Sequence, residues 1–131
     1  MAFRAYGCPH VIAAAEAACA EALELNPTLD IVHGALGRMY VETGRHEEAE
    51  AAFDEALRIN EHNVDAMLGL SEVYRLQNRP DEAESMLHAA IGLQPGNWST
   101  YANLAIFYYR QGRYADAAEQ FAEVVSINPT Y

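Results

Sequence analysis

A short pattern recurs in this chain at a constant interval of 34 residues: Gly44, Ala49 and Phe53 are followed by Asn78, Ala83 and Leu87, then by Gly112, Ala117 and Phe121. A period of this length marks stacked structural units that share one continuous core, so the fold is constrained before any local feature is read. Three units, 30–63, 64–97 and 98–131, follow one another without insertion or deletion.

Within each unit the apolar residues fall at helical spacing in two runs. In the first unit Leu36, Met39 and Tyr40 share one stripe, and Ala49, Ala52, Phe53 and Ala56 share another; each run keeps the i, i+3, i+4 rhythm of an amphipathic helix. The intervening turns read Thr43-Gly44-Arg45, Gln77-Asn78-Arg79 and Gln111-Gly112-Arg113. Gly and Asn are the residues that accept the left-handed conformation in which a helix commonly ends, so their exchange at one position supports the alignment. Pro80 suits the first turn of the following helix, and Asn26-Pro27, Gln94-Pro95 and Asn128-Pro129 stop the second helices. Small residues at Gly37, Ser71 and Ala105 face Ala49, Ala83 and Ala117, where the paired helices must approach closely. Tyr40, Tyr74 and Tyr108, with Phe53, Leu87 and Phe121, fill the remaining core. The pattern predicts an all-α stack of antiparallel helix pairs.

Composition narrows the function. The net charge is −11, and all eight basic residues are Arg; nucleic-acid binding, which needs a basic stripe to displace counterions, is not expected. No apolar run is long enough to span a membrane, and Met1 to His10 lacks the basic-then-apolar order of a secretory signal. A cytoplasmic protein or segment is expected. Cys8 and Cys19 stand at no metal-ligand spacing, and Cys19 reads as a small hydrophobe.

These residues resemble the tetratricopeptide repeat. Its pattern is met in the second unit by Met67, Leu70, Ser71, Tyr74, Ala83, Leu87, Ala90 and Pro95, and in the third by Tyr101, Leu104, Ala105, Tyr108, Ala117, Phe121, Val124 and Pro129. The departures are His33 in place of a bulky apolar residue, Val124 in place of a small one, and Glu61 in place of Pro. His33 is expected to be partly buried and hydrogen-bonded. Residues 10–27 align with the second helix of a preceding unit through Ala15, Cys19, Ala22 and Pro27, with Phe3 and Tyr6 in a shortened first helix. Residues 1–29 thus form a partial repeat, giving about three and a half in one domain. Two short stretches, Phe107 to Tyr114 and Glu16 to Leu23, are also similar to tetratricopeptide segments of bacterial multidomain signalling proteins such as Ser/Thr kinases and adenylate cyclases.

The resemblance implies a right-handed superhelix whose first helices line a concave face that holds a partner's peptide or helix. Carried over to this chain, the groove positions are Arg38 and Glu42, then Asp65, Leu68, Glu72 and Arg75, then Asn103, Ile106, Tyr109 and Arg110, with Ile31, Val41, Ser99 and Ala102 beside them. All but five of the 19 acids lie on second helices and their turns, the exceptions being Asp30, Glu42, Glu61, Asp65 and Glu72. The groove is therefore close to neutral, and Arg38, Arg75 and Arg110 are placed to fork onto carboxylates of a partner. The Lys/Asn clamp of chaperone-binding members is missing, since the matching places hold Gly34, Arg38, Gly69, Ser99 and Asn103. The Asn ladder of the sugar-transferase members is reduced to Asn103.

An enzyme is not expected. His10, His46, His62 and His88 are scattered, no nucleophile and base can be paired, and no metal or cofactor set is completed. A link to catalysis would run through a regulatory or substrate-recruiting role in a larger signalling enzyme or glycosyltransferase. At the far end, Tyr114, Ala118, Ala122 and Val125 occupy the stripe that in earlier units meets the next pair. Either a longer array or self-association through that stripe is expected, because a solvated last helix is normally polar outside.

Overall fold

The left-handed turn is where the architecture is decided. Gly44, Asn78 and Gly112 adopt φ of 77°, 59° and 78°, and each turn closes with the same pair of backbone bonds. Arg45, Arg79 and Arg113 donate their N–H to the carbonyls of Tyr40, Tyr74 and Tyr108 at 2.8, 2.8 and 2.9 Å, while the left-handed residue donates three residues back. Last-turn carbonyls are thereby satisfied and the chain reverses for the second helix.

The computed structural model describes residues 9–129. Among them are seven helices and no strand: α1 (Pro9–Leu25), α2 (Asp30–Glu42), α3 (His46–Ile59), α4 (Val64–Leu76), α5 (Pro80–Leu93), α6 (Trp98–Arg110) and α7 (Tyr114–Ile127). The expected stub with Phe3 and Tyr6 lies outside the described residues. Pro80 occupies the first turn of α5. Asn63 and Asn97 cap α4 and α6, accepting from the backbone N–H of Ala66 at 3.0 Å and of Ser99 at 3.1 Å. The start of α2 is tied to the loop after α3, because the Asp30 carboxylate accepts from the side-chain amides of Asn60 at 3.1 Å and Asn63 at 2.9 Å.

Each helix packs on the next in sequence, and α2 also touches α4, so neighbouring first helices lie side by side. Ala49, Phe53 and Ala56 of α3 meet Ala66, Leu70 and Val73 of α4 in one core cluster. Ala83 and Leu87 of α5 meet Leu104, Phe107 and Tyr108 of α6 and Ala117 of α7 in another. Gly37, Ser71 and Ala105 are all buried. One core residue departs from expectation: Phe121 is 41% exposed where its counterparts Phe53 and Leu87 are 1% and 2% exposed. A second-helix residue at this position is covered by the first helix of the following pair, and no described helix follows α7. His33 is half-buried, and its ring makes no hydrogen bond or ion pair among the described residues.

Candidate functional site

The first helices line a trough of three hollows, each large enough for a side chain or two. The first, about 220 Å³, lies between Ile31, Gly34, Ala35, Arg38, Phe53, Asn63 and Asp65. The second, about 330 Å³, shares Arg38 and adds Val41, Glu42, Leu68, Gly69, Glu72 and Asn103. The third, about 180 Å³, shares Leu68, Glu72 and Asn103 and runs on to Arg75, Ile106 and Arg110. Shared walls make them one path across α2, α4 and α6. Of the ten groove residues read from the sequence, only Tyr109 lies off this path. It is 61% exposed and stacks edge-on against Tyr114, with ring centroids 5.3 Å apart.

The three groove arginines are not equivalent. Arg75 is already paired with Glu72, one helical turn away, in a two-pronged contact, so its fork is occupied by the chain's own carboxylate. Arg38 and Arg110 make no ion pair among the described residues. The i, i+3 spacing of Glu72 and Arg75 is visible in the sequence and foretells this pairing.

A repeated cluster at the turns within the helix pairs, apart from these hollows, carries most of the remaining Arg charge. Arg45 lies over the ring of Tyr40 at 4.4 Å, Arg79 over Tyr74 at 4.4 Å and Arg113 over Tyr108 at 4.3 Å. Each Arg then reaches back to a Glu on the preceding second helix: Glu16 at 3.2 Å, Glu50 at 3.0 Å and Glu84 at 2.9 Å. Each also binds an acid three residues on, namely Glu48, Glu82 and Asp116. The hydroxyls of Tyr40 and Tyr108 donate to the same backward Glu, at 3.3 and 2.7 Å. Cation–π contact and a charge-assisted hydrogen bond thus clasp every repeat to the one before it.

The third clasp is the most elaborate, because His88 of α5 joins it at 3.3 Å from Glu84 and 3.2 Å from the Tyr108 hydroxyl. Burial, followed by the hydrogen bond to Glu84, pushes the Tyr108 hydroxyl up to about 12. At Glu84 burial acts upward, but hydrogen bonds from Tyr108, Arg113 and His88 outweigh it and hold the carboxyl below its ordinary value.

On α7, the last described helix, Tyr114 and Val125 are 63% and 61% exposed, and Ala118 and Ala122 are exposed with them. Phe121 extends that stripe. Among the described residues no cluster of His, Cys, Asp and Glu is arranged to hold a metal ion, and no helix is long and apolar enough to cross a membrane.

Comparison with known proteins agrees with this architecture. Among solved structures, MamA matches with a TM-score of 0.71 at 21% identity, over 82% of this chain and 63% of its own. TTC0263, a thermophilic TPR protein of Thermus thermophilus, matches with a TM-score of 0.79 at 24% identity, over 86% of this chain and 63% of its own. PilF of Pseudomonas aeruginosa matches with a TM-score of 0.69 at 26% identity, over 73% of this chain and 43% of its own. The chain therefore spans less than two thirds of each of these three. No curated protein matches it. Residues 22–130 match the sequence model described as the cytochrome c-type biogenesis protein H TPR domain, and with this match over most of its length the chain belongs to the tetratricopeptide repeat family.

Proposed function

We propose that this chain is a non-catalytic scaffold that takes an extended segment of a partner protein along the trough of α2, α4 and α6. Tetratricopeptide repeats generally serve protein–protein interaction, and such stacks expose a long concave surface suited to a peptide. The observation that carries the reading is the continuity of the trough, with Arg38 and Arg110 opening onto it and lacking any carboxylate of their own among the described residues. Apolar walls from Ile31, Leu68 and Ile106 would take side chains of the segment, and the two guanidinium forks would take acids set apart along it. Arg75 contributes less, since Glu72 already holds it. The description of the matching family suggests service in cytochrome c-type biogenesis as the setting for such recruitment.

Selection of a random peptide display library on the chain tests this reading. The enriched sequences are expected to carry Asp or Glu between apolar residues and to bind the Arg38→Glu, Arg110→Glu double variant at least about tenfold more weakly. Arg75→Ala should change affinity by no more than about threefold. Selected peptides without acids, or equal binding to the double variant, would refute it.

A further inference from the structure

The face of α7 that matches the next-pair contact face of α3 and α5 breaks the rule that those two helices keep. Three positions along that face read His46, Glu50 and Asp54 in α3, and Pro80, Glu84 and His88 in α5; in α7 they read Tyr114, Ala118 and Ala122. The middle position matters most. Glu16, Glu50 and Glu84 are the carboxylates that receive the Arg of the following repeat, and α7 offers Ala118 there instead. A further repeat of the same design would bring an Arg and a Tyr to a surface without their acceptor. The exposed stripe of Tyr114, Ala118, Phe121, Ala122 and Val125 is apolar from end to end. Large residues flank two alanines one turn apart, a contour that admits another helix closely.

The charge around the stripe selects among occupants. Glu119 and Glu123 stand exposed on its solvent side and make no ion pair among the described residues, and α7 has no basic residue in its last turn. A second copy of the chain would bring the same acids and its own net charge of −11 to the contact. We infer that the end face of α7 is a docking surface for an amphipathic helix of a partner, apolar toward Tyr114, Phe121 and Val125 and basic toward Glu119 and Glu123. This surface is separate from the trough of α2, α4 and α6 and stands or falls without it.

Two model helices of about 18 residues test the inference. Both carry a Leu stripe at i, i+3, i+4 spacing; one has Lys on its flanks and the other Glu. By fluorescence anisotropy at about 0.15 M salt, the Lys-flanked helix is expected to bind and the Glu-flanked helix to bind at least about tenfold more weakly. Ala118→Glu and Ala122→Glu distinguish docking from general attraction to an acidic protein. Each adds a negative charge and would strengthen general attraction, yet each should weaken docking by at least about tenfold by placing a carboxylate in the stripe. Glu119→Lys with Glu123→Lys should weaken it too, whereas Arg38→Glu with Arg110→Glu should leave it unchanged. Both Ala positions are exposed and Glu is a good helix former, so unchanged helical circular dichroism is expected for each variant. The inference is overturned if neither helix binds, if Ala118→Glu and Ala122→Glu bind the Lys-flanked helix as well as or better than the parent does, or if sedimentation shows a dimer that those substitutions dissolve.

Discussion

Phe53 shows how a single side chain can couple two repeats. Its ring lies between Gly37 of α2 and Gly69 of α4, so close that a Cβ at Gly37 would sit 2.6 Å from its Cε1 and one at Gly69 would sit 2.3 Å from its Cζ. The next repeat solves the same problem with other volumes: Leu87 replaces Phe53, while Ser71 and Asn103 replace the two glycines. Size lost on the second helix is regained on the first helices. Gly37→Ala should therefore destabilise the fold by about 1–3 kcal/mol, because the added methyl would overlap the buried ring and force it out of its packed position. Combining it with Phe53→Leu should recover part of that loss, which a double-mutant cycle by urea denaturation measures as a coupling of at least about 0.5 kcal/mol. Additive effects would mean that ring and glycine do not share the space.

At the scale of the element, the clasps translate into a pH profile. Glu84 is held below the ordinary carboxyl value of 4.5. The unfolded chain therefore takes up that proton first on acidification, and the stabilisation is full above about pH 4.5 and fades as the pH falls. Tyr108 runs the other way. Its folded form keeps the hydroxyl proton up to about 12 against an ordinary 10, so its contribution is complete below about pH 10 and is lost as the pH climbs toward about 12. The melting temperature should thus fall on both sides of a plateau, with Glu84→Gln flattening the acid limb and Tyr108→Phe making the alkaline limb shallower. Limbs unchanged by either substitution would remove the clasp as their cause. Much of this stack is legible in the sequence, since the 34-residue period and the Gly, Asn and Gly turn residues mark the helix ends directly. The clasps escape a unit-by-unit reading, in which Arg45, Arg79 and Arg113 count with the surrounding acids as outer-face charge. Their signal is present all the same, in Glu16, Glu50 and Glu84 recurring at the interval of the Tyr–Arg pairs. It emerges only when the period is followed across the joins rather than within a unit.

For the whole molecule, a stack whose units touch only their neighbours makes the worth of a side chain depend on its place in the row. Phe53, Leu87 and Phe121 hold one position in three successive units, and periodicity marks such positions as equivalent without making their surroundings so. Phe53 and Leu87 are sealed by the first helix of the following pair, whereas Phe121 at the end of the described stack remains 41% exposed. Phe53→Ala should accordingly cost about 3–5 kcal/mol and Leu87→Ala about 2–5 kcal/mol, the range for emptying a buried site. Phe121→Ala should cost no more than about 1 kcal/mol, because half-solvated area is lost and no cavity is left. Chemical denaturation of the three variants under one set of conditions gives the comparison. A gradient with Phe121 far below the other two establishes that the end face is open in the isolated chain and free to accept a helix. A Phe121→Ala cost equal to that of Phe53→Ala would mean that something already covers it.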